Sequence, residues 1–294
     1  MKLYQQIVCP VDFSDASLNS VQWGLHFARQ AQVPLLLFHC YSMHLQDAET
    51  ASAVYAEMSR LSDEMMRDFI KKLKIESDFP IVSRCSPLDL NQELRVISDE
   101  FPKSFIVMST KGAKGLTRFI LGSNAVSVLH AVNIPVLVIP EDQSVDFFQK
   151  TPIRWLLGVD PTETKYSEAV PWIHLLIGQF GFVIVPGYVD TGKEGSSHAE
   201  EFLQWSSIYF PGIHPLLSVA DHPSLGIEEL MRRSESEGLI MISRDKGWLK
   251  DMFRKHLSDE MVFMGRYPVL VVPDHSPIFE IAEQPKSKGS DAVL

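Results

Sequence analysis

The chain is poor in the features that mark most specialised proteins. It has three cysteines in 294 residues, Cys9, Cys40 and Cys85, none at metal-ligand spacing. A disulfide framework and a zinc site are thereby excluded, and the thiols read as reduced core or strand-end groups. No apolar run approaches the roughly 20 residues that span a bilayer. Met1 to Gln6 runs straight into a strand-like segment with no signal-peptide pattern, so the expected location is cytoplasmic, with no membrane partner. Cations are scattered or merely paired (Lys71-Lys72, Arg232-Arg233, Arg254-Lys255), and the formal net charge is -10. Nucleic acid, which demands clustered cations against its phosphates, is not an expected partner. The Gly-x-x-x-x-Gly-Lys-Ser/Thr loop, a strand-linked Gly-x-Gly-x-x-Gly and the Gly-x-Ser-x-Gly elbow are all missing.

What is present is a duplication. Pro135-Val-Leu-Val-Ile-Pro140 returns as Pro268-Val-Leu-Val-Val-Pro273. Twenty-seven residues before each first proline stands a Met in an apolar run, Met108 and Met241. Further upstream each copy has an apolar run ending in Val-Asp, Val11-Asp12 and Val159-Asp160. A repeat of this length is a whole domain, not a solenoid unit. The expected domains are 1–143 and 152–274, joined by a polar linker around Glu141–Thr151. The tail 275–294, low in large apolar residues, is expected to be disordered.

Apolar runs alternate with amphipathic segments in both copies. The first predicts strands at Ile7–Val11, Val33–Phe38, Ile81–Ser83, Phe105–Met108 and Val136–Ile139. Between them the pattern places a helix capped at Ser14-Asp15 with the stripe Leu18, Val21, Leu25 and Ala28. A long helix through about Lys74 carries Met58, Leu61, Met65, Phe69 and Leu73 on one face. Further helices are expected near Leu88–Glu100 and Ser123–Ala131. The second copy predicts strands at Ile153–Val159, Phe182–Pro186, Leu216–Val219, Leu239–Ile242 and Val269–Val272. Asp12 and Met108 are 96 positions apart and Asp160 and Met241 only 81. The middle helix of the second copy, near Ala199–Ser207, is the expected site of that loss. Continuous apolar strands between helices imply an α/β fold with two doubly wound five-stranded parallel sheets. Ligands of such sheets lie beyond the carboxyl ends of the strands, where strand order reverses.

One loop carries chemistry. Ser109-Thr-Lys-Gly112-Ala-Lys-Gly115 leads to Gly122-Ser123-Asn124. The glycines allow close backbone approach. Gly122-Ser123 opens a helix, whose free N–H groups and dipole favour an anion. Lys111, Lys114 and Arg118 place cations nearby. Read from spacing alone, a glycine turn followed by an ordinary serine cap fits equally well.

These residues resemble the universal stress protein family. The resemblance rests on Ile7-Val-Cys-Pro-Val-Asp-Phe-Ser14, Ile106-Val-Met108, Gly112, Gly122-Ser123 and Pro135-Val-Leu-Val, and extends over both halves. It implies the adenine nucleotide alpha hydrolase-like fold. ATP-binding members carry Gly-x2-Gly-x9-Gly-Ser/Thr, which here reads Ser109-x2-Gly112-x9-Gly122-Ser123, with serine in place of the first glycine. The resemblance implies that Asp12 meets the ribose, with Pro10 and Val11 lining the site. It sets the backbone of Cys40 against the adenine edge, and Met108 and Ser109 beside the ribose. Gly112, Gly122, Ser123 and Asn124 would meet the phosphates of ATP, with or without magnesium. Asp12 also reads as a helix-capping carboxylate.

In the second copy Ile242 stands opposite Ser109, Asp245 opposite Gly112, Lys255 opposite Gly122 and His256 opposite Ser123. A carboxylate at the Gly112 position would repel phosphate, so no cofactor is expected there. His39 is expected to be a hydrogen-bonded structural residue, His174 a core residue, His256 a capping or surface residue, and Met58, Met65 and Met66 packing residues. Three functions compete: an adenine-nucleotide sensor or regulator in stress response, a slow ATPase on the same site, and a nucleotide-independent scaffold. No carboxylate base stands near the loop, and no catalytic or metal residue is assigned. The family resemblance also implies pairing of the two Pro-Val-Leu-Val strands within the chain. A further homodimer of whole chains is left open.

Overall fold

In the computed structural model the described residues are 4–41, 48–73, 79–110, 127–129, 131–146, 153–160, 169–192, 198–243 and 266–274. The first half contributes β1 (Gln6–Pro10), α1 (Asp15–Ala31), β2 (Leu35–Cys40), α2 (Ala48–Lys72) and β3 (Ile81–Ser86). It continues with α3 (Leu90–Glu100), β4 (Ser104–Ser109) and β5 (Val136–Ile139). The second half contributes β6 (Arg154–Gly158), α4 (Ala169–Phe180), β7 (Val183–Asp190), α5 (Ala199–Tyr209) and β8 (Leu216–Val219). It ends with α6 (Pro223–Ser234), β9 (Gly238–Ser243) and β10 (Val269–Pro273).

The strands join into a single ten-stranded sheet, in the order β3-β2-β1-β4-β5-β10-β9-β6-β7-β8. The five strands of each half are parallel to one another. β5 and β10 meet antiparallel, with Leu137 opposite Leu270 and Val136 opposite Val271. The two repeated Pro-Val-Leu-Val segments therefore form the seam. An antiparallel seam also turns the halves end for end, so their carboxyl edges lie on opposite edges of the sheet.

Burial explains the near-continuous apolar strands, since both faces are covered. On one face Ile7, Cys9, Leu35, Leu37 and Phe105 pack with α1, and Trp155, Leu157 and Ile240 with α4 and α5. On the other, Val8, Leu36, Ile106 and Val138 pack with α3 and with Val128, Leu129, Ala131 and Val132, and Leu156, Leu239 and Met241 with α6. Each core crosses the seam. An aromatic cluster of Tyr4, Phe27, Phe105, Trp172, Phe180 and Phe182 ties the halves together on the α1 face. Gln179 adds a hydrogen bond to the Gln30 carbonyl at 3.0 Å.

Three expectations need correction. Of the stripe read on α2, Phe69 is buried and Leu73 packs half-buried against the core, but Leu61 and Met65 are 43% and 50% exposed, and Ser62 and Met66, one residue around, are buried in their place. His174 is exposed and stacks on Phe210 at 5.2 Å; it is not in the core. β7 continues through Pro186 to Asp190. The Val159 N–H donates to the Gly187 carbonyl, so the peptide groups of Gly187 face β6 and those of Pro186 face away. β8 begins pairing only at Gly187, so the donor that Pro186 lacks is not needed. The shortening expected in the middle of the second half is found there: α5 has 11 residues against 25 in α2. The linker start, 141–146, docks on α1, where the Gln143 carbonyl accepts from Asn19 Nδ2 at 2.9 Å and Trp23 Nε1 at 3.1 Å. The tail 275–294 lies outside the described residues. Among the described residues no helix is long and apolar enough to cross a membrane.

Candidate functional site

The crevice of the first half follows from connectivity. After β1 the chain enters α1 on one face of the sheet, and after β4 it reaches Val128, Leu129, Ala131 and Val132, packed on the other. Adjacent strands β1 and β4 thus part at their carboxyl ends, the usual ligand position in such sheets.

Pro10 helps to open the sheet there. Along β1, Ile7 and Val11 donate their N–H groups toward β2, to Pro34 and Phe38. The alternation of a parallel ladder therefore turns Pro10 toward β4, and proline has no N–H to donate. The β1–β4 ladder ends at Val8 opposite Ile106. On β4, Ile106 and Thr110 donate toward β5, which turns the peptide groups of Ser109 toward β1 and the crevice. The same alternation acts on β2. Phe38 accepts from Val11, while the Tyr41 N–H goes to Ser86 on β3 at 3.0 Å. The peptide groups of Cys40 therefore face the β1 side, past the residue where β1 has left the sheet.

Asp12 sits half-buried at the start of the turn into α1. Its Oδ1 accepts from the Ser14 N–H at 3.1 Å and the Ser14 hydroxyl at 2.5 Å. Ser14 is the N-cap proper, its Oγ accepting from the Ser17 N–H at 3.2 Å. Asp12 thus does not cap the helix. It fixes the residue that does, and Ser14 in return fixes the carboxylate. The Asp-x-Ser spacing was the sequence signal for this exchange.

The structure brings Pro10, Val11, Asp12, Cys40, Met108 and Ser109 to the carboxyl ends of three neighbouring strands. Val11, Met108 and Ser109 are buried; Pro10, Asp12 and Cys40 are half-buried. Gly112, Gly122, Ser123 and Asn124, with Lys111, Lys114 and Arg118, lie outside the described residues. Ser109 is not among the residues with positive φ. The serine that replaces the first glycine of the motif therefore asks nothing of the backbone that only glycine could supply.

The thiol of Cys40 is pushed up to about 12, by burial first and then by the carboxylates of Glu93 and Asp89. Glu93 is fully buried on α3, with its Oε1 2.7 Å from Nε of Arg84. Two further residues hold the turn: Phe13, which sequence reading did not single out, and His39, whose expected hydrogen bond runs to Val11. Nδ1 of His39 lies 2.7 Å from the Val11 carbonyl, and its ring packs on Phe13 with centroids 4.4 Å apart.

In the second half Asp160 follows the corresponding strand, two residues beyond β6, but is exposed, and Ile242, at the Ser109 position, is buried. Asp245, Lys255 and His256 lie outside the described residues.

Fold and crevice define an α/β protein of the adenine nucleotide alpha hydrolase-like type. Residues 3–140 match the model of the universal stress protein family. A curated universal stress protein of Methanocaldococcus jannaschii is 28% identical over 145 residues, covering 47% of this chain and 82% of its own. The crystal structure of a universal stress protein from Archaeoglobus fulgidus superposes with a TM-score of 0.62 at 20% identity. That match covers 92% of this chain and 98% of the other, so the likeness of fold extends over both halves. A functionally unknown protein from Pseudomonas aeruginosa superposes at 0.56 with 13% identity, covering 92% and 93%.

Proposed function

We propose that the first domain, 1–143, binds an adenine nucleotide, ATP, as the sensing or regulatory element of a stress-response protein. The second domain, 152–274, holds the sheet together across the seam and takes no nucleotide in this manner. The observation that carries the reading is that the peptide groups of Cys40 and of Ser109 both face the gap that opens beyond Pro10, with Asp12 two residues on and its carboxylate fixed by Ser14. A carboxylate there suits the ribose hydroxyls, and the peptide edge of Cys40 suits the donor and acceptor edge of adenine. Gly112, Gly122, Ser123 and Asn124, at the opening of the helix expected near Ser123, supply N–H and hydroxyl groups suited to phosphates. Magnesium, where present, would ride with the phosphates.

The test is mass spectrometry of nucleotide retained by the purified chain. ATP at close to one equivalent supports a binding module. ADP accumulating with magnesium would instead mark a slow ATPase. No nucleotide, together with no thermal shift at millimolar ATP, would leave a nucleotide-independent scaffold.

A further inference from the structure

The turn that carries Asp12 contains the least expected backbone among the described residues. Three non-glycine residues have positive φ: Phe13 at 64°, Gln32 at 55° and Glu235 at 51°. Gln32 and Glu235 are helix C-caps, where a left-handed residue is routine. Phe13 is not. It is bulky and aromatic, and it lies one residue beyond Asp12. Such a conformation persists only where its surroundings impose it.

The surroundings that impose it are side chains of β2 and α2. The ring of Phe13 lies 4.4 Å from that of His39 and edge-on to Phe69 at 5.8 Å. On the other side of Asp12, the Val11 carbonyl stands 2.7 Å from Nδ1 of His39. A carbonyl oxygen only accepts, so Nδ1 carries the proton and donates. One imidazole thus grips the chain both before and after Asp12. The backbone of β2 adds a third hold, since the Val11 N–H donates to Phe38 at 2.8 Å.

We propose that His39 is a positioning residue for the nucleotide site. Its N–H fixes the Val11 carbonyl and its ring holds Phe13 in the left-handed conformation, so that the turn presents Asp12 to the ribose. This rests on the nucleotide reading above. It assigns the ribose selectivity of the site to a side chain that need not touch the ligand. Without the Nδ1–H donor and the ring together, Phe13 relaxes toward negative φ and the Asp12 carboxylate swings off the crevice.

The test compares the full wild-type chain with His39→Ala and His39→Asn by calorimetric titration with ATP and with 2′,3′-dideoxy-ATP. Asparagine places an amide N–H close to where Nδ1–H stands. The wild type should prefer ATP, and in His39→Ala that preference should fall about tenfold, the scale of one lost hydrogen bond, while dideoxy-ATP binds nearly as before. His39→Asn should recover most of the preference. A merely structural role would weaken both ligands alike, and that result, or an unchanged preference in His39→Ala, overturns the proposal. Hydrogen exchange at residues 12–15 of the ligand-free proteins supplies a second reading, in which His39→Ala should exchange faster there and His39→Asn should not. Unchanged exchange overturns the hold on the turn, even if His39→Ala titrates poorly because it is destabilised. A wild type that binds neither ligand overturns the nucleotide reading itself, and exchange then still decides whether His39 holds the turn.

Discussion

Leu137 and Leu270 stand opposite each other in the antiparallel ladder between β5 and β10, both fully buried. An apolar edge strand invites pairing with another chain. Here each copy covers the other, and the tether makes the contact intramolecular.

Truncating either leucine leaves a cavity at the seam. Leu137→Ala and Leu270→Ala should each cost about 2–5 kcal/mol of unfolding free energy in urea titrations. Because the two side chains share one site, the double variant should depart from additivity by about 0.5–3 kcal/mol. Strict additivity would mean that the two copies do not share a core.

Gly24 faces β1 from α1, and a methyl group there would run into the Cys9 sulfur. Gly24→Ala should therefore destabilise by about 1–3 kcal/mol through overpacking. Combined with Cys9→Ala the clash disappears, and the helix preference of alanine over glycine, about 1 kcal/mol, should show instead. Thermal melts of the four proteins check the reversal of sign.

Ser14 serves both helix and site. Ser14→Ala should lower stability by about 1 kcal/mol, the usual worth of an N-cap. It also removes both the hydroxyl that Asp12 accepts and the acceptor of the Ser17 N–H. The variant should therefore bind ATP more weakly than its lost stability alone explains, measured by titration well below the melting range.

The half-buried thiols Cys40 and Cys85 are both pushed up to about 12, chiefly by burial. In the unfolded chain they ionise in the ordinary thiol range, about 8.5. A raised folded value keeps the native state protonated, so stability is intact below about pH 8.5 and falls as pH rises from there toward 12. Alkylation at pH 8 should be slow in the native protein and complete for all three thiols in urea. Rapid native labelling would contradict this.

Much of the fold was legible because buried parallel strands write themselves as apolar runs. Val136–Ile139 and Val269–Val272 were visible for that reason, and so was the loss in the middle of the second copy. What failed depended on neighbours distant in sequence. The stripe through Leu61 and Met65 has helical spacing, yet only the docking of α2 on the sheet selects Ser62 and Met66 in their place, while keeping Phe69. His174 lies among apolar residues, but its own direction from α4 is outward. Pro186 reads as a strand end unless one knows that β8 starts a residue later. At the site, Asp12, Cys40 and Ser109 were legible as strand ends following the family pattern. The grip of His39 on Val11 was not, because it joins residues 28 apart through a side chain and a carbonyl.

The central claim, one nucleotide site in the first half, is tested most directly by calorimetric titration of the full chain with ATP. Gly122→Asp and Asp160→Asn are measured beside it. The account predicts a single site per chain, abolished by Gly122→Asp, which sets charge and bulk against the phosphates, and untouched by Asp160→Asn. Unchanged affinity in Gly122→Asp, or no binding by the wild type at millimolar ATP, would contradict it.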